Sequence, residues 1–243
     1  NPVSNLPWTS KFLKECYQLG KEKIGWQNRP MVPGSLKENG MLVGYGMGGG
    51  VFGAGRGQAS VKGILKNDGT VVFQSAVSDM GPGTSTAMVK IGSELMGITP
   101  DKVDFEMGDT DLPPGPTQGG SGSTSAVGTA ITAVCDEMKK NLKELAIANA
   151  DGFKNSKADE LDYAGGNIFL KNDNTTKIHF TDLLKQSNKP LLEIVKDAER
   201  LSAEARKYAM NSFSVHFVKL HVHPVTGVIQ LKHIVSTADA GKI

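Results

Sequence analysis

Asp79-Met80-Gly81-Pro82-Gly83-Thr84 and, forty residues on, Gly119-Gly120-Ser121-Gly122-Ser123-Thr124 are two glycine- and hydroxyl-rich loops. Each runs directly into a segment of helical period. After the first, Ala87, Met88, Ile91, Leu95 and Met96 form one apolar stripe that stops at Gly97, a natural C′ residue. After the second, Val127, Ile131, Val134, Met138, Leu142 and Leu145 keep register to about Asn149, a long core helix. A helix start presents unpaired backbone N–H groups and the positive end of the peptide dipole. Glycine lets a ligand approach that backbone closely, so such a loop can hold an anion without a charged side chain. Two of them flanking one helical unit suit an elongated anionic ligand, such as a pyrophosphate-linked cofactor. The plainer alternative is a pair of ordinary turns that end in good Ser/Thr caps.

Working outward, Ala59–Lys66 and Thr70–Ala76 alternate apolar and polar residues around Asp68-Gly69, a strong hairpin turn that delivers the chain into the first loop. Val103–Met107 reads as a strand, and the proline-stiffened Gly108–Gln118 leads into the second loop. Gly44-x-Gly46-x-x-Gly49 matches a dinucleotide-binding string but is followed by strand pattern, so it reads as a glycine-bearing strand. Near the start, Thr9 or Ser10 caps a helix carrying Phe12, Leu13, Cys16, Leu19 and Ile24. Beyond a polar connection over 151–161, a small hairpin is expected around Asn172-Asp173-Asn174, then a brief helix capped by Thr181. The charged, Ala-rich 190–208 reads as a surface helix or an insertion. A third hairpin joins Phe213–Val222 to Val228–Val235. The predicted fold class is α+β, with mixed β-sheets packed against two long helices. The predicted sub-domains are 1–150, holding both loops, and 151–243.

The chain has 243 residues, net charge +2 and 21% charged residues, a balance that argues against nucleic acid or an anionic membrane as partner. No apolar run approaches the ~20 residues of a membrane span. Cys16 and Cys135 have no metal-type spacing. His216, His221, His223 and His233 gather on the last two strands, but no Cys or carboxylate joins them at ligand spacing, so no metal site is assigned. Neither a Gly-x-Ser-x-Gly elbow nor a Gly-Lys-Ser/Thr loop is present. Both termini read as cut ends of a larger protein.

Taken in order, Asp79-Met80-Gly81-Pro82-Gly83-Thr84, Gly108-Asp109-Thr110-Asp111-Leu112-Pro113-Pro114, Gly119-Gly120-Ser121, Val222-x-Pro224-x-Thr226-Gly227 and Asp239-Ala240-Gly241 resemble the large subunit of the xanthine dehydrogenase and aldehyde oxidoreductase family. Gly25-Trp26 and Val43-Gly44-x-Gly46-Met47 fit as well, and the resemblance spans nearly the whole chain. It implies a molybdopterin cofactor, in its cytosine dinucleotide form in bacteria, and oxidative hydroxylation of an aldehyde or N-heterocycle. Electrons would leave through iron–sulfur and flavin partner subunits or domains. Met80, Gly81 and Gly83, with Pro82 and Thr84 in the same loop, would lie against the pterin and its phosphates, and Gly119, Gly120, Ser121, Gly122 and Ser123 would hold the same cofactor from the other side. Arg56 matches a substrate-side arginine of the aldehyde-oxidising branch, the alternative being a solvated arginine on a glycine loop. Pro82 departs from the xanthine oxidase branch, which carries a glutamine there; proline offers neither an amide side chain nor an N–H, and a purine substrate becomes less expected.

The family's catalytic glutamate falls beyond Ile243, so no catalytic residue is assigned within this segment. The resemblance then implies that the segment alone is inactive and free of cofactor. The compartment it implies is cytoplasmic, with periplasmic export of a folded complex as the alternative. A non-catalytic phosphate- or nucleotide-binding module, or a scaffold, is the competing function.

Overall fold

A computed structural model describes residues 1–55, 57–198 and 202–240. The chain divides into two compact units, Asn1–Ala54 with Leu201–Ile243, and Gly55–Arg200. This differs from the expected parting near residue 151. The long helix that ends at Asn149 shares one core with the residues that follow it, including Phe153, Leu161, Ile168 and Phe180.

In the Gly55–Arg200 unit, strands β3 (Ser60–Lys66), β4 (Val71–Ser75), β5 (Val103–Met107) and β9 (Leu191–Asp197) form a sheet of order β5-β4-β3-β9. β3 and β4 are the antiparallel hairpin anticipated at Asp68-Gly69, while β4 and β5 run parallel. The parallel pair is joined by helix α2 (Thr84–Met96), and helix α3 (Ser123–Asn149) follows β5. α2 packs on β5, α3 lies across β3 and β9, and the helices touch each other. Phe73 of β4 is fully buried in this layer, beside Gly63 of β3 and Gly92 of α2. Burying a side chain of that size stabilises the fold by roughly 1.5–3 kcal/mol. A methyl at Gly92 would run into the Phe73 ring.

Over 190–208, expected as a surface helix or an insertion, residues Leu191–Asp197 are strand β9 and not helix, while 199–201 lie outside the described residues. Leu192 and Ile194 alternate with Glu193 and Val195, and the strand pairs with β3 from Lys66↔Leu191 to Ser60↔Asp197. Strands β6 (Leu161–Ala164), β7 (Asn167–Leu170) and β8 (Asp173–His179), with helix α4 (Phe180–Gln186), form a smaller layer that packs on α3. β7 and β8 are the small hairpin anticipated from the sequence. The brief helix is capped by His179 and not by the expected Thr181, which lies in its first turn and gives its N–H to the His179 ring.

In the other unit, β1 (Lys37–Glu38), β2 (Met41–Gly53), β10 (Asn211–Val222) and β11 (Ile229–Asp239) form an antiparallel sheet in that order. β2 is the glycine-bearing strand, which confirms that Gly44-x-Gly46-x-x-Gly49 opens no helix. Helix α1 (Leu13–Ile24) packs across β10 and β11. It begins later than expected, and neither Thr9 nor Ser10 caps it. The Asp239 carboxylate, brought over from β11, accepts the Phe12 N–H at 2.8 Å. Phe12 and Leu19 are exposed, while Cys16, Gly20 and Ile24 face the sheet.

Candidate functional site

A parallel β4–α2–β5 unit sends the loops after β4 and after β5 out of the same sheet edge, so α2 and α3 both begin there. Ligands of α/β crossovers collect at such carboxyl ends of strands. β3 starts and β9 ends at this edge too. The proline-rich loop closes it. Pro113 O accepts the Ala76 N–H at 2.7 Å, Pro114 O accepts the Ser60 N–H at 2.8 Å, and Val77 O accepts the Gly108 N–H at 2.9 Å. Gly115 is pressed so closely against β4's end that a Cβ would lie 2.7 Å from the Val77 nitrogen. The two glycine loops therefore leave from positions fixed by backbone bonds.

The first loop is organised by Asp79. One carboxylate oxygen accepts the Gly81 N–H and the other the Thr84 N–H, each at 2.8 Å. Pro82 has no N–H, and Gly81 and Gly83 take left-handed backbone angles with open space where a Cβ would stand. Met80 projects into solvent, 69% exposed, whereas Thr84 is buried. The α2 start thus carries its own anion, a difference from a loop free of charged side chains.

The second loop is built otherwise. Gly120 and Ser121 have positive φ, and Gly122 is the N-cap with no side-chain cap bond and no acid in the first turn of α3. Gly119, Gly120 and Gly122 all face open space. Ser123 is buried, its hydroxyl given to Gln118 Oε1. The Ser125 hydroxyl bonds Gly122 O at 3.0 Å and Gly55 O at 3.2 Å. Gly57 lies against Ala126 and Pro116, so both neighbours of Arg56 sit at the α3 start. Arg56 itself lies outside the described residues. A cleft of about 480 Å³ at the same edge is lined by Gln58, Ser60, Pro114, Gly115 and Asp197.

Asp79, Gln118 and Ser125 escaped the sequence reading. Of these, Asp79 was legible: an Asp two residues before a Gly is the signature of a side chain accepting its own i+2 amide. The histidines do not converge. His221 bonds Glu38 at 3.0 Å, His216 bonds Ser236 and Ser214, and His223 caps its own turn. Among the described residues no cluster of three or more His, Cys, Asp or Glu could hold a metal ion, and no helix is long and apolar enough to cross a membrane. Cys135 is fully buried, and burial pushes its thiol up to about 12.

The profile of the molybdopterin cofactor-binding domain matches residues 19–243. The chain is 24% identical over 236 residues to the aldehyde oxidoreductase molybdenum-binding subunit PaoC of Escherichia coli (strain K12), covering 97% of this chain and 30% of that protein. Its fold is that of quinoline 2-oxidoreductase from Pseudomonas putida 86, at TM-score 0.78 and 13% identity over 94% of this chain and 31% of that one. Reconstituted CO dehydrogenase from Oligotropha carboxidovorans superposes at TM-score 0.77 and 17% identity, over 96% and 31%. The chain thus spans about a third of the length of these relatives. With a family profile running through both glycine loops and all three sheets, the chain belongs to the molybdopterin cofactor-binding domain family.

Proposed function

We propose that this chain is the cofactor-cradling part of an aldehyde oxidoreductase-like molybdenum hydroxylase, and that the two loops at the β4–β5 edge grip a molybdopterin dinucleotide, in its cytosine form. The observation that carries this reading is the pair of helix starts on one sheet edge within a chain of this family. The site fits such a group. Gly81, Gly83, Gly119, Gly120 and Gly122 leave open space over backbone, and the start of α3 offers N–H groups without a competing acid.

The two loops divide the ligand by charge. At the α2 start the Asp79 carboxylate holds the Gly81 and Thr84 amides and repels a second anion. The phosphates therefore belong at Gly119, Gly120, Ser121, Gly122 and Ser123. The uncharged ring system belongs against Met80, Gly81, Pro82, Gly83 and Thr84. When bound, the cofactor supplies the two-electron oxidation of the substrate. The chain's own task is to bind and orient it, with Arg56 a candidate for steadying a carbonyl or carboxylate. The aldehyde or N-heterocycle substrate, the iron–sulfur and flavin partners, a cytoplasmic location and the inactivity of this segment by itself are part of the same reading.

Gly122→Asp separates cofactor binding from folding. Gly122 has an ordinary φ and open space around it, so a side chain fits without backbone strain, and an acid at the start of α3 complements the helix dipole, so stability is kept. The new carboxylate occupies the phosphate position. Cofactor content of the intact subunit is expected to drop at least about tenfold, since charge repulsion of roughly 1.4 kcal/mol suffices for that factor, with thermal stability kept. Full cofactor content in Gly122→Asp would refute the assignment.

A further inference from the structure

The sheet β1-β2-β10-β11 is covered on one face over only half its width. Strands lie ~4.8 Å apart and a helix is ~10 Å across, so one helix covers about two strands. α1 takes β10 and β11: Val215 and Phe217 are shut away beneath it, and Thr237 bonds Cys16 O at 2.9 Å. On the same face of β2, Met47 pairs with Phe217 and Val51 with Phe213, yet Met47 is 54% and Val51 61% exposed.

Two clefts run along this uncovered half. One, of about 490 Å³, is walled by Trp8, Leu13, Tyr17 and Phe213 over Gly49 and Val51. The other, of about 230 Å³, lies between Tyr17, Gln18, Trp26 and Phe217 over Met47. The rim is basic. Lys14 and Lys21 line the second cleft at helical spacing with Tyr17 and Gln18. Lys11 lines the first, its ammonium 5.0 Å from the Trp8 ring centre. Among the described residues no carboxylate lines either cleft, although α1 carries Glu15 and Glu22.

We propose that this face receives a second helix, laid beside α1 along β2, with apolar residues on Met47 and Val51 and carboxylates toward Lys11, Lys14 and Lys21. Its source is the parent polypeptide, because the chain spans only 30% of the length of its Escherichia coli relative. Apolar floor and basic rim together select an acidic amphipathic helix.

The test uses the intact parent subunit, treated with a zero-length carbodiimide coupler and mapped by mass spectrometry. Coupling of Lys14 or Lys21 to an Asp or Glu of the same polypeptide outside these 243 residues is the expected result. Coupling instead to an acid within residues 55–200, to a second copy or to a partner subunit overturns the proposal. Val51→Glu supplies a second measurement. It places like charge under the helix, and acetylation of Lys14 and Lys21 is expected to accelerate about tenfold as the helix is displaced. No coupling, together with acetylation rates unchanged by Val51→Glu, also overturns it.

Discussion

At Asp79 a single carboxylate closes the turn that precedes α2, through the Gly81 and Thr84 amides. Asp79→Ala is expected to cost about 1 kcal/mol, the usual worth of a helix-start acceptor. Amide exchange should accelerate at Gly81 and Thr84 and leave Gly63 and Phe73 unchanged; equal acceleration at all four would mean global loosening and refute the local role. Glu38 makes the second residue-scale prediction. Lys219 hydrogen-bonds its carboxylate, His221 adds a further bond, and together they hold Glu38 below its ordinary value of 4.5. A depressed folded-state pKa gives stability that is present above about 4.5 and lost as pH falls through the folded value. Lys219, raised by the same partner, contributes below its ordinary 10.5 and loses that contribution as pH rises through its folded value. Denaturant midpoints measured against pH should show an acid-side decline that Glu38→Gln flattens; an unchanged acid profile would contradict the account. Neither partnership could be read from the sequence, since Glu38 and Lys219 stand 181 residues apart.

Elements were legible where period and punctuation agreed. α2 and α3 followed from their apolar stripes, β3 and β4 from Asp68-Gly69, and Gly97 stops α2 in a left-handed conformation as its position suggested. β9 was not legible. Its Leu192 and Ile194 alternation is only a few residues long and stands beside a charged Ala-rich run, and what makes it a strand is the open edge of β3. The start of α1 was misplaced for a similar reason, because its N-terminal acceptor, Asp239, comes from the far end of the chain. Packing between elements makes a sharper prediction. Gly92→Ala puts a methyl into the Phe73 ring, and overpacking of this kind costs about 1–3 kcal/mol. A fall in the denaturation midpoint, relieved by Phe73→Leu in the double variant, is expected; an undisturbed Gly92→Ala would show that α2 and β4 are not in that contact.

The molecule as a whole separates into units that interleave in sequence: the Asn1–Ala54 and Leu201–Ile243 segments complete one sheet, and Gly55–Arg200 is inserted between them. No local signal marks such a division, which is set by β2 pairing with β10 across the intervening unit. The two glycine loops of the candidate site, by contrast, could be picked out in the sequence. Both glycine loops lie within the inserted unit, and the resemblance carried by their motifs agrees with a family profile over residues 19–243. The resemblance sets the phosphates against the first loop, whereas the Asp79 carboxylate, folded back onto the Gly81 and Thr84 amides, favours the second. The central claim, that these loops cradle a molybdopterin dinucleotide, is tested most directly by metal and nucleotide analysis of the intact parent subunit purified with its natural partners. The account predicts molybdenum near one per subunit, with CMP released on acid hydrolysis. A well-folded complex containing neither would contradict it.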